Sequence, residues 1–170
     1  MAKIRSKRGF RFVKELGGAI RRSTVSVGGK WLVERGHVKG RVLDFGCGFG
    51  FDADHFGWDA FDPYYRQQEL EGNYDTVICN HVLNMLTRAS RERTIREIQE
   101  ILTPSGAAFL IVPRNIPVTG KIALRKRIQN YVTMTLPSIY ADRKLEIYRL
   151  ERTTEFEDVT KEIEQRLDRD

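Results

Sequence analysis

The chain has 170 residues, 41% of them hydrophobic and 31% charged, and a formal net charge of +6. This composition fits one globular domain with its own core and excludes a disordered chain. No apolar run approaches the roughly 20 residues of a transmembrane helix, so no membrane partner is expected. The start of the chain is basic but has no apolar core behind it, which is not the pattern of a signal peptide; a mitochondrial transit peptide is a second reading of the same stretch. Two cysteines, Cys47 and Cys79, are too few for a disulfide framework and have no zinc-site context. A reducing, cytoplasmic setting and no metal site are expected.

In chain order, residues 1–24 form a basic arm, with eight Lys/Arg against one acid, Glu15, up to Arg22. Val27 to Arg35 is an expected helix. Arg41-Val42-Leu43-Asp44-Phe45 is an apolar run ending in glycines, which predicts a buried strand. Phe51 to Phe56 is a short helix or turn, and Trp58 to Phe61 a second strand. Tyr74 to Cys79 is a third. Ser90 to Leu102 places Ile95, Ile98, Ile101 and Leu102 at helical spacing, stopped by Pro104. Gly106 to Val112 is another apolar strand. Tyr131 to Leu136 and Leu145 to Leu150 both alternate, and are expected to pair antiparallel at one sheet edge. Thr153 to Arg169 is expected to be an acidic helix.

These elements predict an α/β fold: a Rossmann-like, mostly parallel sheet with helices on both faces and an antiparallel edge strand pair. Residues 25–152 form its single domain, between the arm and a C-terminal acidic helix (153–170). A second basic cluster is Arg114, Lys121, Arg125, Lys126 and Arg127. The arm and the 114–127 loop have the composition of a nucleic-acid footprint, or of a solvated surface.

The motif of interest is Asp44-Phe45-Gly46-Cys47-Gly48-Phe49-Gly50. In an open α/β sheet, ligands bind at the carboxyl ends of the strands. Glycines there permit a sharp turn and a close approach of backbone to ligand. Asp44 can accept from a cationic ammonium group. Asp62 lies 18 positions after Asp44, where an acid recognises ribose hydroxyls; an ordinary Asp-Pro turn is the alternative. The glycine spacing is neither that of dinucleotide enzymes nor that of a P-loop. A nucleoside without a pyrophosphate fits better.

Val42 to Gly50 resembles motif I of the class I S-adenosylmethionine (SAM)-dependent methyltransferases. Tyr74 to Leu86 resembles their fourth strand and the segment after it, and Leu102-Thr103-Pro104-Ser105-Gly106 resembles the approach to their fifth. The resemblance covers about residues 25 to 115. It implies a methyltransferase of unidentified acceptor, with SAM as cofactor. Asp44, Gly46, Cys47, Gly48, Phe49, Gly50, Asp62, Pro63, Tyr64 and Asn80 are then the cofactor-binding candidates. A non-catalytic SAM- or nucleotide-binding module associated with nucleic acid is the alternative. The pairing of Asp62-Pro63-Tyr64-Tyr65 with Val82-Leu83-Asn84 is similar to methyltransferases associated with DNA phosphorothioation.

One departure stands out. Only 13 positions separate Asp62 from Asp75, too few for the helix, strand and adenine-contacting acid of the family. The third strand is expected to be missing or vestigial, with Tyr64 or Tyr65 stacking on the adenine or packed on the surface. Asn80, His81 and Asn84 come after the fourth family strand and are expected to face the transferred methyl group. His81 is the candidate base, with a packing role as the alternative. Cys79 lies inside an apolar strand and reads as structural. Asp62-Pro63-Tyr64-Tyr65 also looks like the box of amino-methylating enzymes, but it comes after the second strand, so it reads as the ribose turn.

Overall fold

A computed structural model describes residues 19–123 and 127–162. The arm up to residue 18, residues 124–126 and residues 163–170 of the expected C-terminal helix lie outside that description. The elements are α1 (Val27–Glu34), β1 (Val42–Phe45), α2 (Phe51–Phe56), β2 (Asp59–Phe61), β3 (Tyr74–Asn80), α3 (Arg88–Ile101), β4 (Leu102–Pro113), β5 (Lys121–Ala123), β6 (Arg127–Gln129), β7 (Ser138–Ala141) and β8 (Leu145–Glu151). A single 3₁₀ turn, Leu83–Met85, joins β3 to α3. Helix starts reflect local chemistry: the Ser26 hydroxyl accepts from the Gly29 N–H at 3.0 Å, and that of Thr87 from Ser90 at 3.3 Å.

The main sheet has the order β2-β1-β3-β4-β8-β7. β2, β1, β3 and β4 are parallel; β8 runs antiparallel to β4, and β7 antiparallel to β8. The chain steps from β1 to β2 on one side, then to β3 on the other. The topological switch, and the crevice it opens, therefore lies between the carboxyl ends of β1 and β3. Alternation divides the core. Ala108, Leu110 and Val112 of β4 join Ile95, Ile98 and Ile101 of α3 on one face. Ala107, Phe109 and Ile111 meet Leu32 of α1 on the other. No third family strand lies among the described residues: β2 is the sheet edge, and the chain leaves it through a turn closed by reciprocal Asp62–Arg66 backbone hydrogen bonds of 3.1 Å.

Three expectations are corrected. First, helix α3 ends at Ile101, ahead of Pro104, and β4 starts at once. Pro104 and Ser105 fall in the irregular register where Tyr74 pairs with Leu102 and Thr76 with Ala107. A residue without an N–H is tolerated at such a bulge. Second, residues 131–136 do not pair with β8; Ser138–Ala141 takes that place. Val132, Met134 and Leu136 are buried, so their alternation marks a buried face rather than a strand partner. Their neighbours bond instead to the C-terminal segment, through Thr135 N–H to Glu157 O (3.0 Å) and Val159 N–H to Thr133 O (2.9 Å). Third, residues 153–162 are not helical. They are held extended by Arg91 of α3, which is wholly buried and donates to the Asp158 carboxylate at 2.6 Å, to Leu86 O at 2.7 Å and to Glu162. Among the described residues no helix is long and apolar enough to cross a membrane.

Candidate functional site

Strand β1 is buried along its whole length and delivers Asp44 to the crevice. The chain then turns through Gly46, Gly48 and Gly50, with φ of 74°, 58° and 82°. Side chains rarely adopt these angles, and a Cβ on Gly46 would lie 2.5 Å from Val82 Cγ2. The turn is pinned by the Phe61 carbonyl, which accepts from Gly46 N–H at 2.7 Å and Cys47 N–H at 3.1 Å. Asp62 completes it. One carboxylate oxygen accepts from Gly48 N–H at 2.9 Å, the other from Tyr64 and Tyr65 N–H at 2.8 and 3.0 Å.

Asp44 is 6% exposed. Burial pushes its carboxyl up to about 7; the nearby Asp52 and Asp62 carboxylates add to this, while the Arg22 guanidinium opposes it. Asp52 accepts from the backbone N–H of Ser26 at 2.9 Å and from its hydroxyl, tying the α1 cap to α2. Residues 19–22 lie across the same place: Arg21 stacks over the Phe49 ring at 4.4 Å, and Arg22 Nη1 is 4.0 Å from Asp52. A cavity of about 260 Å³ opens here, walled by Arg21, Arg22, Asp44, Asp52, Phe49 and Asn80 among others.

The sequence candidates are only partly brought together. Asp44, Gly46, Cys47, Phe49, Gly50 and Asn80 line the cavity. Gly48, Asp62, Pro63, Tyr64, His81 and Asn84 are not among its wall residues. Asn84 is buried, and its side-chain oxygen has no hydrogen-bond partner among the described residues. His81, just after β3, has φ 55°, a left-handed conformation uncommon outside glycine. Its N–H donates to Ile111 O at 2.9 Å, and the residue as a whole is exposed. Burial of the imidazole, then the Arg22 guanidinium, pushes its pKa down to about 4. The Cys47 thiol is pushed up to about 12, chiefly by burial, and that of Cys79 is also raised. Neither is a thiolate nucleophile at neutral pH. Tyr65 packs on Phe49 at 4.4 Å, and Arg66 bonds to Phe49 O and to Asp54 at 3.0 Å.

Arg21, Arg22 and Asp52 are site residues that the sequence does not announce. The two arginines read as part of the arm, and nothing in their spacing tells that residues 19–22 fold back over the glycine turn. Arg114 is the reverse case. Expected in a basic surface cluster, it is instead enclosed: it pairs with Glu146 at 2.5 Å, donates to Val132 O and Tyr148 Oη, and stacks on Tyr131 at 4.2 Å.

A family profile described as a methyltransferase domain matches residues 4–146. No curated protein is matched by the sequence. Among solved structures, the chain is similar to 1,6-didemethyltoxoflavin-N1-methyltransferase of Burkholderia thailandensis, with TM-score 0.51 and 16% identity over 71% of this chain and 74% of that one. A glycopeptide N-methyltransferase superposes with TM-score 0.49 and 13% identity over 73% and 94% of the two chains. Magnesium protoporphyrin IX methyltransferase of Synechocystis PCC 6803 gives TM-score 0.43 and 17% identity over 72% and 74%.

Proposed function

Because this chain belongs to the methyltransferase domain family, we propose that its crevice binds SAM and directs the methyl group to an acceptor at the open end of β3. The observation carrying this reading is Asp44: a buried carboxyl, held partly protonated, on the wall of an open cavity. Burying a carboxyl without a cation to face is costly, and a ligand ammonium relieves that cost. The glycine turn, free of side chains, fits a group that needs close backbone approach. SAM supplies an electrophilic methyl on a sulfonium; the protein positions the reactants.

In this reading Asp44 holds the cofactor's ammonium, Arg22 its carboxylate, and the turn Gly46 to Gly50, with Cys47 and Phe49, its body. Asp62, Pro63 and Tyr64 form the ribose side. Asn80 orients the reacting groups. His81, neutral at pH 7, takes the acceptor's proton where the nucleophile must lose one. Asn84 positions the turn behind it through its backbone oxygen, which accepts from Asn130 N–H at 2.8 Å.

Calorimetric titration with SAM and its demethylated product tests the reading. Both bind, and affinity rises with pH up to about 7, by at most tenfold per unit, then levels off. The sign comes from the raised pKa: below 7 the carboxyl carries a proton that the cationic ligand must displace, and above 7 it does not. Asp44→Asn weakens binding and flattens this profile. Absence of SAM binding at millimolar ligand defeats the proposal. For His81, NMR titration of the imidazole is expected to give a pKa below the ordinary histidine value; a value above it removes the neutral-base role.

A further inference from the structure

We infer that Asp52 is a positioning residue for the cofactor: it latches residues 19–22 in place as a wall of the cavity and so aims Arg22 at the ligand. The ligand's identity rests on the cofactor reading above; the latch rests on contacts within the chain. Asp52 lies in the first turn of α2, directly after the glycine turn, and its side chain is 9% exposed. Its carboxylate joins three segments: α2, the cap of α1 and residues 19–22. One oxygen accepts from Ser26 N–H at 2.9 Å; the other accepts from the Ser26 hydroxyl and lies 4.0 Å from Arg22 Nη1. The sequence makes room for it. Helix α1 carries two adjacent glycines, Gly28 and Gly29, which are unfavourable inside a helix. A Cβ on Gly29 would lie 2.9 Å from Asp52 Oδ2 and 2.7 Å from Ser26 Oγ, so a side chain there would push the carboxylate off the cap.

Residues 19–22 depend on this anchor. They belong to no helix or strand, and Ile20 is 80% exposed, so little apolar burial holds them. Ala19 rests on the glycine turn, where a Cβ on Gly48 would meet its own Cβ at 2.8 Å. Arg21 stacks over Phe49, and Arg22 supplies the ion pair to Asp52. Ile20, Arg21 and Arg22 then wall the cavity together with Asp44 and Asn80. The charge of Arg22 is felt on both sides of the site: it opposes the upward shift of Asp44 and adds to the downward shift of His81. At 4.0 Å the pair is beyond hydrogen-bond distance. Asp52 therefore steers Arg22 by charge without taking up its N–H donors, which a ligand carboxylate can use. Without Asp52, Arg22 is a long side chain on an exposed segment with many rotamers open to it.

Two measurements on the full chain test this, and the first needs no ligand. Trypsin takes an arginine side chain whole into its specificity pocket, so cleavage after Arg21 or Arg22 requires residues 19–22 to leave the cavity. Asp52→Asn keeps the size and an acceptor for Ser26 N–H but removes the charge, and is cut there roughly fivefold faster. Arg22→Gln is cut after Arg21 with a similar gain. It leaves the Ser26 bonds intact, so it decides the matter if Asp52→Asn loosens the whole fold, which cleavage after the wholly buried Arg91 would report. An unchanged rate in Arg22→Gln overturns the latch. The second measurement is calorimetry with the demethylated product of SAM. Arg22→Gln alone weakens binding about tenfold. In the Asp52→Asn background the same change costs less than about twofold, because Arg22 is no longer aimed. Equal losses in the two backgrounds overturn the positioning role. Absence of binding by the unmodified chain defeats the cofactor reading instead, and the digestion alone then decides the latch.

Discussion

Replacing Asp62 with Ala weakens SAM binding by about a hundredfold, because the substitution leaves three backbone N–H groups without their acceptor. Gly48, Tyr64 and Tyr65 all donate to this carboxylate. It therefore holds the glycine turn and the 62–66 turn in register with each other. A carboxylate has about four lone-pair sites, so one remains for a ribose hydroxyl. Asp62→Asn does not restore the wild type, since its amide would set a donor against one of the N–H groups. A SAM analogue lacking the ribose hydroxyls separates the two contributions. If Asp62 also bonds the ribose, the Ala substitution costs the analogue less than it costs SAM. If it only holds the turn, both lose equally. Affinity for SAM unchanged in Asp62→Ala would refute both roles. Calorimetry on the two ligands decides the matter.

Arg91→Ala lowers folding stability by about 3–5 kcal/mol, the usual cost of removing one partner of a buried ion pair. Arg91 and Asp158 are both fully buried at their side chains. Burial alone would raise the Asp158 pKa, but Arg91 and Thr160 outweigh it and hold the carboxyl below its ordinary value. The pair therefore contributes stability above the ordinary carboxylate pKa and loses it as pH falls through the lowered one. Without Arg91 the buried carboxylate stands uncompensated and Leu86 O loses a donor. The double variant R91M/D158L recovers much of the loss, because it removes both charges together. Urea denaturation measures each difference. A loss under about 1 kcal/mol in Arg91→Ala, the level of an exposed pair, would mean that the C-terminal segment is not packed on α3.

The two effects sit at opposite ends of one path. Arg91 and Asn130 both donate to Leu86 O, at 2.7 and 3.2 Å, and Asn84 O accepts from Asn130. The C-terminal segment, α3 and the hairpin exit thus converge on the short turn after His81. Packing remote from the cavity decides where the end of β3 lies, and the substrate side of the proposed site depends on it.

The glycine turn of the candidate site is legible in the residues themselves. The turn after Asp44 is local chemistry: a buried apolar strand must end in glycines to reach left-handed dihedrals, and Asp44, Gly46 and Gly50 do line a cavity. The missing third strand is likewise legible, because 13 positions between Asp62 and Asp75 cannot hold a helix and a strand. β1, β3, α3 and β4 announce themselves by period and length.

The partners of these segments are settled by long-range contact instead. Alternation at Val132, Met134 and Leu136 reports which side is buried, and that signal is the same whether the backbone bonds to β8 or, as here, to residues 157–159. The acidic residues after Thr153 read as a solvated helix until Arg91, buried in α3, claims Asp158. Arg22 and Arg114 are both arginines of a basic chain by sequence; one lines the cavity and the other is enclosed between Glu146 and Tyr131. The reason is general. Period and composition are properties of neighbouring residues, whereas hydrogen bonds and ion pairs between distant segments depend on which segments the fold brings together.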